Sequence, residues 1–557
     1  MDGRDTRTTL WILTMMGFLI VAESRGQARQ QQAFTDVTRE AGINFRYNFG
    51  DYTYENILES SGSGVTILDY NGDGLMDLYM LNGTYLEGIS DADGIVFKDT
   101  PNQLYRNNGN GRFTEVAHEA GLDDRNWSMA AGTLDYDGDG DTDVYLLNYG
   151  PNVFYRNNGD GTFTDITDRI GLKGPETLNG FKKWSVGVAF WDYNNDTRTD
   201  MMVGNFLAFD SSYISPTTPD MMPHPSEYKG QASMMYMQKP DGSFIEVTKQ
   251  LNMYYPDSKC MGLTVFDYDD DGDLDLFQGN DHQLNFLFRN DGDETFTEVA
   301  VAAGVAANDQ GQPTGSMHGS IGDIDGDGLI DLLVTDLRYG ALYKYLGQGV
   351  FQDITRISGV AHQFNGKGQW AANLFDYDND GDIDIFTANG TAEELILQKP
   401  LLLENDGHGR FKDAGPQLNP YFNTKRSGRA SAVWDYDNDG DLDLIVSHID
   451  LKATPILLRN DMGNRNNWLG MYLKGNMGPA SAIGAKVTVK TSGKQQVKIN
   501  QWATTYLSSN DPRLLFGLGK ENRIIELSIR WPDGSIEVYK NLPVNQYLAI
   551  TQGKGIN

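Results

Sequence analysis

The nine residues DYDGDGDTD at 135–143 put five aspartates into one short stretch, and a chain folds such a stretch only if something neutralises it. Asp135, Asp137 and Asp139 alternate with other residues, Gly140 follows, and Asp143 closes the run. The alternation aims acids to one side of an extended turn, and the glycine permits the positive-φ bend that wraps the chain round a small object. A hard divalent cation is such an object: calcium takes roughly six to eight oxygens, from carboxylates at loop positions 1, 3 and 5, a carbonyl at 7 and an acid beyond.

The stretch occurs seven times, at 69–77, 135–143, 192–200, 267–275, 323–331, 376–384 and 435–443. The candidate calcium ligands are Asp69, Asn71, Asp73, Leu75 (through its carbonyl) and Asp77 in the first loop, and Asp135, Asp137, Asp139, Asp141 and Asp143 in the second. The third offers Asp192, Asn194, Asp196 and Asp200; the fourth offers Asp267, Asp269, Asp271, Asp273 and Asp275. Asp323, Asp325, Asp327, Leu329 (carbonyl) and Asp331 form the fifth set, and Asp376, Asp378, Asp380, Asp382 and Asp384 the sixth. Asp435, Asp437, Asp439, Asp441 and Asp443 form the seventh. The third loop departs from the rest: Thr197 stands where the others have glycine, a β-branched residue that resists positive φ, and Arg198 puts a fixed cation beside the cage. Six calcium sites are expected, with the one at 192–200 weak or empty and the guanidinium partly replacing the ion.

A helix–loop–helix site would carry Glu at loop position 12, where this chain has Met80, Leu146, Val203, Gln278, Val334, Thr387 and Val446. Short apolar runs follow the loops instead (VYLLN, LFQGN), so each loop joins two strands. Between loops lie hairpins such as FYRNNGDGTFTDI at 154–166. The unit is strand, aspartate loop, strand, strand, turn, strand, repeated every 53 to 75 residues, which predicts an all-β fold: a seven-bladed β-propeller. The last unit lacks its fourth strand, and AFTDVTREAGI at 33–43 matches the missing strand although it precedes the first loop. The ring is therefore expected to close through its two ends, leaving no exposed strand edge.

The loops resemble FG-GAP/VCBS repeats of the integrin α-chain type over 33–461. Beyond them, NNWLGMYL, AIGAKVTV, TTYLSSNDPRLLFGLG and RWPDGS resemble an ASPIC/UnbV domain over 466–557, a small β-sandwich-like module. The pairing is similar to bacterial relatives of the cartilage acidic protein family. This resemblance implies a calcium-stabilised module that binds a protein or glycan. The wider repeat family also implies a second reading, a carbohydrate-active enzyme such as a polysaccharide lyase, and UnbV relatives a third, an accessory protein of natural-product biosynthesis.

Arg4 and Arg7, the apolar run 10–22 and small residues beyond it predict a secretory signal peptide over 1–28, hence secretion or a place in the cell envelope. The run is shorter than the roughly 20 residues a membrane span requires, and no later segment is long and apolar enough for one. Cys260 is alone, so no intrachain disulfide supplies a cross-link. The seven loops hold 31 aspartates in a chain of net charge −32, and no basic stripe offers a nucleic-acid surface. Strand alternation puts all the loops on one face and the two longest insertions, 82–103 and 204–234, on the other, which is the expected partner face. Five histidines (224, 282, 318, 362 and 448) map there too, as do Asn82, Asn148, Asn205, Asn280, Asp336, Asn389 and His448 at the ends of second strands. Turn capping is the plainer reading of the asparagines; a transition-metal or acid–base role is the other. Trp127, Trp184 and Trp370 are expected to pack at the rim rather than to stack on a sugar.

Overall fold

The computed structural model describes residues 33–91, 94–450, 454–476, 482–501 and 505–556. The expected signal peptide lies outside them.

Each repeat folds as a four-stranded antiparallel sheet. In the second, Ser128–Leu134 pairs with Asp143–Asn148, then Val153–Asn157, then Phe163–Asp165. The first begins at Val65–Leu68, the third at Ser185–Trp191, the fourth at Cys260–Phe266, the fifth at Thr314–Gly322, the sixth at Gln369–Phe375 and the seventh at Gly428–Trp434. These first strands touch one another in chain order, and the seventh touches the first, so they form the hub of a β-propeller. They are rich in Gly, Ala and Ser because the hub is crowded: a Cβ on Gly132 would fall 2.5 Å from Val188 Cγ1.

The seventh sheet is completed from the other end of the described chain. Phe34–Asp36 pairs antiparallel with Ile456–Asn460, Phe34 opposite Asn460. Phe34 is fully buried, with its ring 6.2 Å from that of Tyr377 and 6.1 Å from that of Phe422. The fourth and fifth sheets are joined where Asp281 pairs with Gly315, beyond the ordinary hairpin.

The C-terminal part is a sandwich. One sheet runs Leu514–Gly519, Asn467–Lys474, Tyr547–Thr551 and Gly555–Ile556; the other runs Gln495–Ile499, Lys486–Lys490, Ile524–Arg530 and Ile536–Leu542. Leu469, Val487, Phe516, Leu527, Ile529 and Ile550 fill the space between them. Alternation of buried and outward residues, as in Lys486–Lys490, is the pattern of a strand with one face on a core.

The sandwich is anchored in the hub. Ser508–Ser509 pairs in parallel with Val65–Thr66. Thr505 Oγ1 accepts from Ala372 N, Ser509 Oγ donates to Ala131 O, Asn510 Oδ1 accepts from Val433 N, and Gln501 Nε2 donates to Val265 O. One segment thus reaches the first strands of five units, which places it inside the ring. Tyr506 is wholly buried there, its ring 5.1 Å from that of Trp370.

Candidate metal centre

The seven aspartate loops share one backbone conformation. Position 6 has positive φ in every copy, at Gly74, Gly140, Thr197, Gly272, Gly328, Gly381 and Gly440. Position 4 does too, at Gly72, Gly138, Asn195, Asp270, Gly326, Asn379 and Asn438. Only Gly, Asn and Asp occupy position 4, the types that tolerate the left-handed region; this second bend was readable in the sequence and missed. The first aspartate fixes the turn: in every loop its carboxylate accepts from the position-6 N–H, as Asp135 Oδ2 does from Gly140 N at 3.0 Å. That bond also explains Thr197, which adopts φ +74 against its β-branched preference while Asp192 Oδ2 accepts its N–H at 2.7 Å. The expectation that Thr197 would block the bend is therefore corrected.

The closing aspartate is the first residue of the second strand and is buried in all seven copies. One oxygen accepts from the position-2 N–H of its own loop; the other accepts from the N–H at the end of the third strand. For Asp143 these donors are Tyr136 N at 2.9 Å and Asn157 N at 2.8 Å. The side chain of that strand-end residue then crosses to the preceding unit: Asn157 Nδ2 donates to Tyr70 O, Asn290 Nδ2 to Tyr193 O, Asn405 Nδ2 to Ile324 O, Asn460 Nδ2 to Tyr377 O and Asn107 Nδ2 to Tyr436 O. Gln238 Nε2 does the same to Tyr136 O. The fifth unit has Tyr345 there, and its hydroxyl accepts from Gly349 N instead. These amides staple neighbouring units together. Their signal in the sequence is an Asn or Gln that ends the third strand in six of the seven units.

Burial pushes the closing carboxyls up: Asp77, Asp143 and Asp200 to about 8, Asp331 to about 7, and Asp275, Asp384 and Asp443 well above the usual range. Each lies beside further aspartates that push the same way, so a cation is the natural complement of the ionised cluster.

Five loops bring three carboxylates together with their nearest oxygens within 4.8 Å: Asp135, Asp137 and Asp143; Asp267, Asp269 and Asp271; Asp323, Asp325 and Asp331; Asp376, Asp378 and Asp384; Asp435, Asp437 and Asp443. Asp267 Oδ1, Asp269 Oδ1, Asp323 Oδ1, Asp325 Oδ1 and Asp441 Oδ1 are buried without any hydrogen bond. An all-oxygen set with buried, unpaired carboxylate oxygens fits calcium. The first loop is not among the five; Asn71 replaces one acid, and its Nδ2 donates to Asp73 Oδ2. In the third, Arg198 forms an ion pair with Asp196 and donates Nε to Gln238 O at 3.0 Å. Basic residues also reach triad carboxylates elsewhere, Arg156 at Asp137 and Lys344 at Asp325, so the third loop is set apart by the arginine together with its lack of a carboxylate triad.

The C-terminal sandwich covers this face. Lys486 pairs with Asp270, Arg530 with Asp267, and Lys494 with Asp382. Arg513 Nη2 donates to Asp435 O at 2.7 Å, and Tyr547 OH donates to Asp435 Oδ2 at 2.5 Å.

On the opposite face the asparagine side chains bond backbone carbonyls, across a turn at Asn148 and Asn280 and over longer spans at Asn205, Asn389 and Asn82, whose Nδ2 donates to Arg46 O. Asn148 Nδ2 donates to Pro151 O, Asn205 Nδ2 to Ala232 O, Asn280 Nδ2 to Leu284 O and Asn389 Nδ2 to Lys399 O. His448 sits with Thr454 O and Tyr421, and His318 lies on a first strand in the hub. Among the described residues, His224 and His282 are the histidines whose rings come together. Trp127, Trp184 and Trp370 are buried. The insertion 204–234 packs Phe206 and Phe209 against Trp184, and Ser211 Oγ donates to Gly88 O in the insertion 82–103; Ile214 and Met221 remain outside, 68% and 51% exposed. Near the hub's end on this face, Arg429 stacks over Trp370 at 4.0 Å and donates Nε to Ser60 O, beside Glu59, whose carboxyl burial pushes up to about 8. Among the described residues no helix is long and apolar enough to cross a membrane.

The FG-GAP-like repeat model matches residues 88–145, 135–203, 267–334, 323–387 and 376–446, and the ASPIC and UnbV model matches 475–557. Cartilage acidic protein 1 of Xenopus tropicalis is 32% identical over 275 residues, covering 47% of this chain and 40% of the relative. The human protein of that name is 32% identical over 276 residues, covering 47% and 39%. The match thus spans about two fifths of the relatives' length. A solved lectin of Agrocybe aegerita that recognises non-reducing terminal N-acetylglucosamine aligns at TM-score 0.37 and 17% identity, over 66% of this chain and 90% of the lectin. With its repeats matched over more than half of its length, each around an aspartate loop of the geometry above, this chain belongs to the FG-GAP-like repeat family and carries a C-terminal ASPIC/UnbV domain.

Proposed function

We propose that this protein is a secreted, calcium-binding β-propeller that presents the face opposite its aspartate loops to a protein or glycan partner. The observation that carries the reading is the set of five carboxylate triads on one shared loop geometry, with buried oxygens left unpaired. Calcium at these loops would neutralise the acids and lock the second and third strands of each unit. The residues to hold it are those of the loops at 69–77, 135–143, 267–275, 323–331, 376–384 and 435–443, with the 192–200 loop weakened by Arg198.

The C-terminal sandwich lies over the loops, so a partner has the other face, where the insertions 82–103 and 204–234 meet and Ile214 and Met221 project. Exposed apolar residues on a packed, aromatic base suit a contact surface. The test is a binding screen against glycans and surface proteins in calcium, repeated with chelator and with Ile214→Asp/Met221→Asp. Partner binding that survives both chelation and the double substitution overturns the reading.

A further inference from the structure

Two histidines that the aspartate loops do not use meet on the partner face. His224 stands in the insertion of the third unit, just before the single turn Pro225–Glu227, and His282 lies near the end of the strand Asp275–Gln283 in the fourth. Their ring centroids are 4.2 Å apart. Each faces a carboxylate: His224 Nε2 is 3.5 Å from Glu393 Oε1, which comes from the sixth unit, and His282 Nε2 is 3.4 Å from Asp281 Oδ1.

Asp281 sets this group apart from a surface cluster. It is 1% exposed, and its Oδ1 accepts no hydrogen bond. A buried carboxylate oxygen without a donor is costly, and the imidazole 3.4 Å from it is itself a good ligand. Lys259, the neighbouring ammonium, attracts Asp281 through its charge, but the hydrogen bond it makes is to Pro225 O at 2.8 Å. The backbone is also unusual: His282 has φ +53, a left-handed conformation rare in a non-glycine residue, and such strain gathers at functional sites. Across the strand stands Gly315, where a Cβ would fall 3.2 Å from Asp281 Oδ1 and 3.6 Å from His282 Nε2, so glycine leaves room beside the pair.

We propose that His224, His282, Asp281 and Glu393 form a site for one transition-metal dication of the zinc class, separate from the aspartate loops. Two imidazole nitrogens and two carboxylates suit zinc, copper or nickel, whereas the all-oxygen loops suit calcium. The ligands come from three units, so the ion ties the third, fourth and sixth together at the end of the hub. It satisfies Asp281 Oδ1. His224 and Glu393, with side chains 29% and 26% exposed, have the freedom to turn onto it. Ser226 fixes the His224 ring, with its donating N–H 3.2 Å and its Oγ 2.7 Å from Nδ1, which leaves Nε2 facing Glu393.

The test titrates zinc into the full chain under saturating calcium, by calorimetry, with cobalt(II) visible absorption as the second readout. One equivalent of zinc is expected, with a cobalt spectrum of nitrogen–oxygen ligation. His282→Asn keeps a residue that tolerates positive φ and removes the imidazole; His224→Gln and Glu393→Gln alter partly exposed side chains. Each should weaken zinc about tenfold or more, the scale on which metal sites respond to loss of supporting groups. His118→Ala, an exposed residue beside Asp123, should change nothing. No zinc bound in calcium, or affinity unchanged in all three variants with melting midpoints intact, overturns the proposal.

Discussion

The two faces of this propeller solve opposite problems. On the loop face, acids are gathered faster than the protein can satisfy them: closing aspartates are buried, oxygens are left unpaired, and arginines or lysines of both parts lean in on several loops. On the other face almost every strand end is tied off by a side-chain amide to a carbonyl, and the tryptophans are packed away. One face calls for a counter-charge; the other closes most of its strand ends with the protein's own side chains. Stability should therefore respond to added ions at the loops and to local packing or protonation elsewhere.

The largest expected effect tests the loop face as a whole. Removing calcium with excess chelator exposes at least five triads to mutual repulsion, and losing several binding free energies should lower the melting midpoint by about 10 °C or more. A midpoint that moves by less than about 4 °C breaks the contrast between the faces.

Ring closure comes next and should not depend on which face is filled. Phe34→Ala removes a fully buried ring at the seam and should cost about 3–5 kcal/mol in denaturant unfolding, with or without calcium. An unchanged midpoint would mean the seam is not needed.

The far face carries a pH signature of its own. Glu59 is buried with its carboxyl raised to about 8, so between the ordinary glutamate range and that value the folded protein holds a proton that the unfolded chain has lost. Its contribution is fully present at low pH and is lost as pH rises through about 8. In saturating calcium, which keeps the loops out of the measurement, wild type should lose up to a few kcal/mol between pH about 5 and about 8, and Glu59→Gln should remove part of that slope, the buried Asp281, raised to about 8 in the same way, keeping the rest. Equal slopes in urea unfolding would refute it.

The smallest effect sharpens the comparison within the loop face. Replacing Thr197 by Gly and Arg198 by Leu removes the strained position and the competing guanidinium, and should raise the calcium stoichiometry by one with little change in midpoint. An unchanged count would show that Asn194, not Arg198, limits the third loop.

What could be read from the sequence was what is local. The loop cages, the strand after each and even the Phe34 seam announce themselves because a nine-residue motif and its neighbours recur seven times. Two things escaped. The asparagine staples lay inside the recurring hairpins, but nothing in a single repeat says that Asn157 reaches a carbonyl of the preceding unit. The hub segment around Tyr506 reads as an ordinary polar loop; its role is set by first strands that lie far upstream in the chain. Thr197 shows the reverse error, where a local preference was trusted and the Asp192 hydrogen bond overrode it.

The hub segment has a consequence for how the molecule is made. Thr35 meets Asp461 across 426 positions, and Ser509 meets Ala131 across 378. During synthesis every unit can form its own hairpins, yet the seam must wait for residues 456–461 to leave the ribosome, and the filling of the hub for residues beyond 500. The growing chain is thus an open arc with bare inner strands for most of its production, the form most exposed to mispairing with another copy. Final assembly is a late, long-range event, and its rate should be set by the arrival of the C-terminal sandwich rather than by the folding of any single unit.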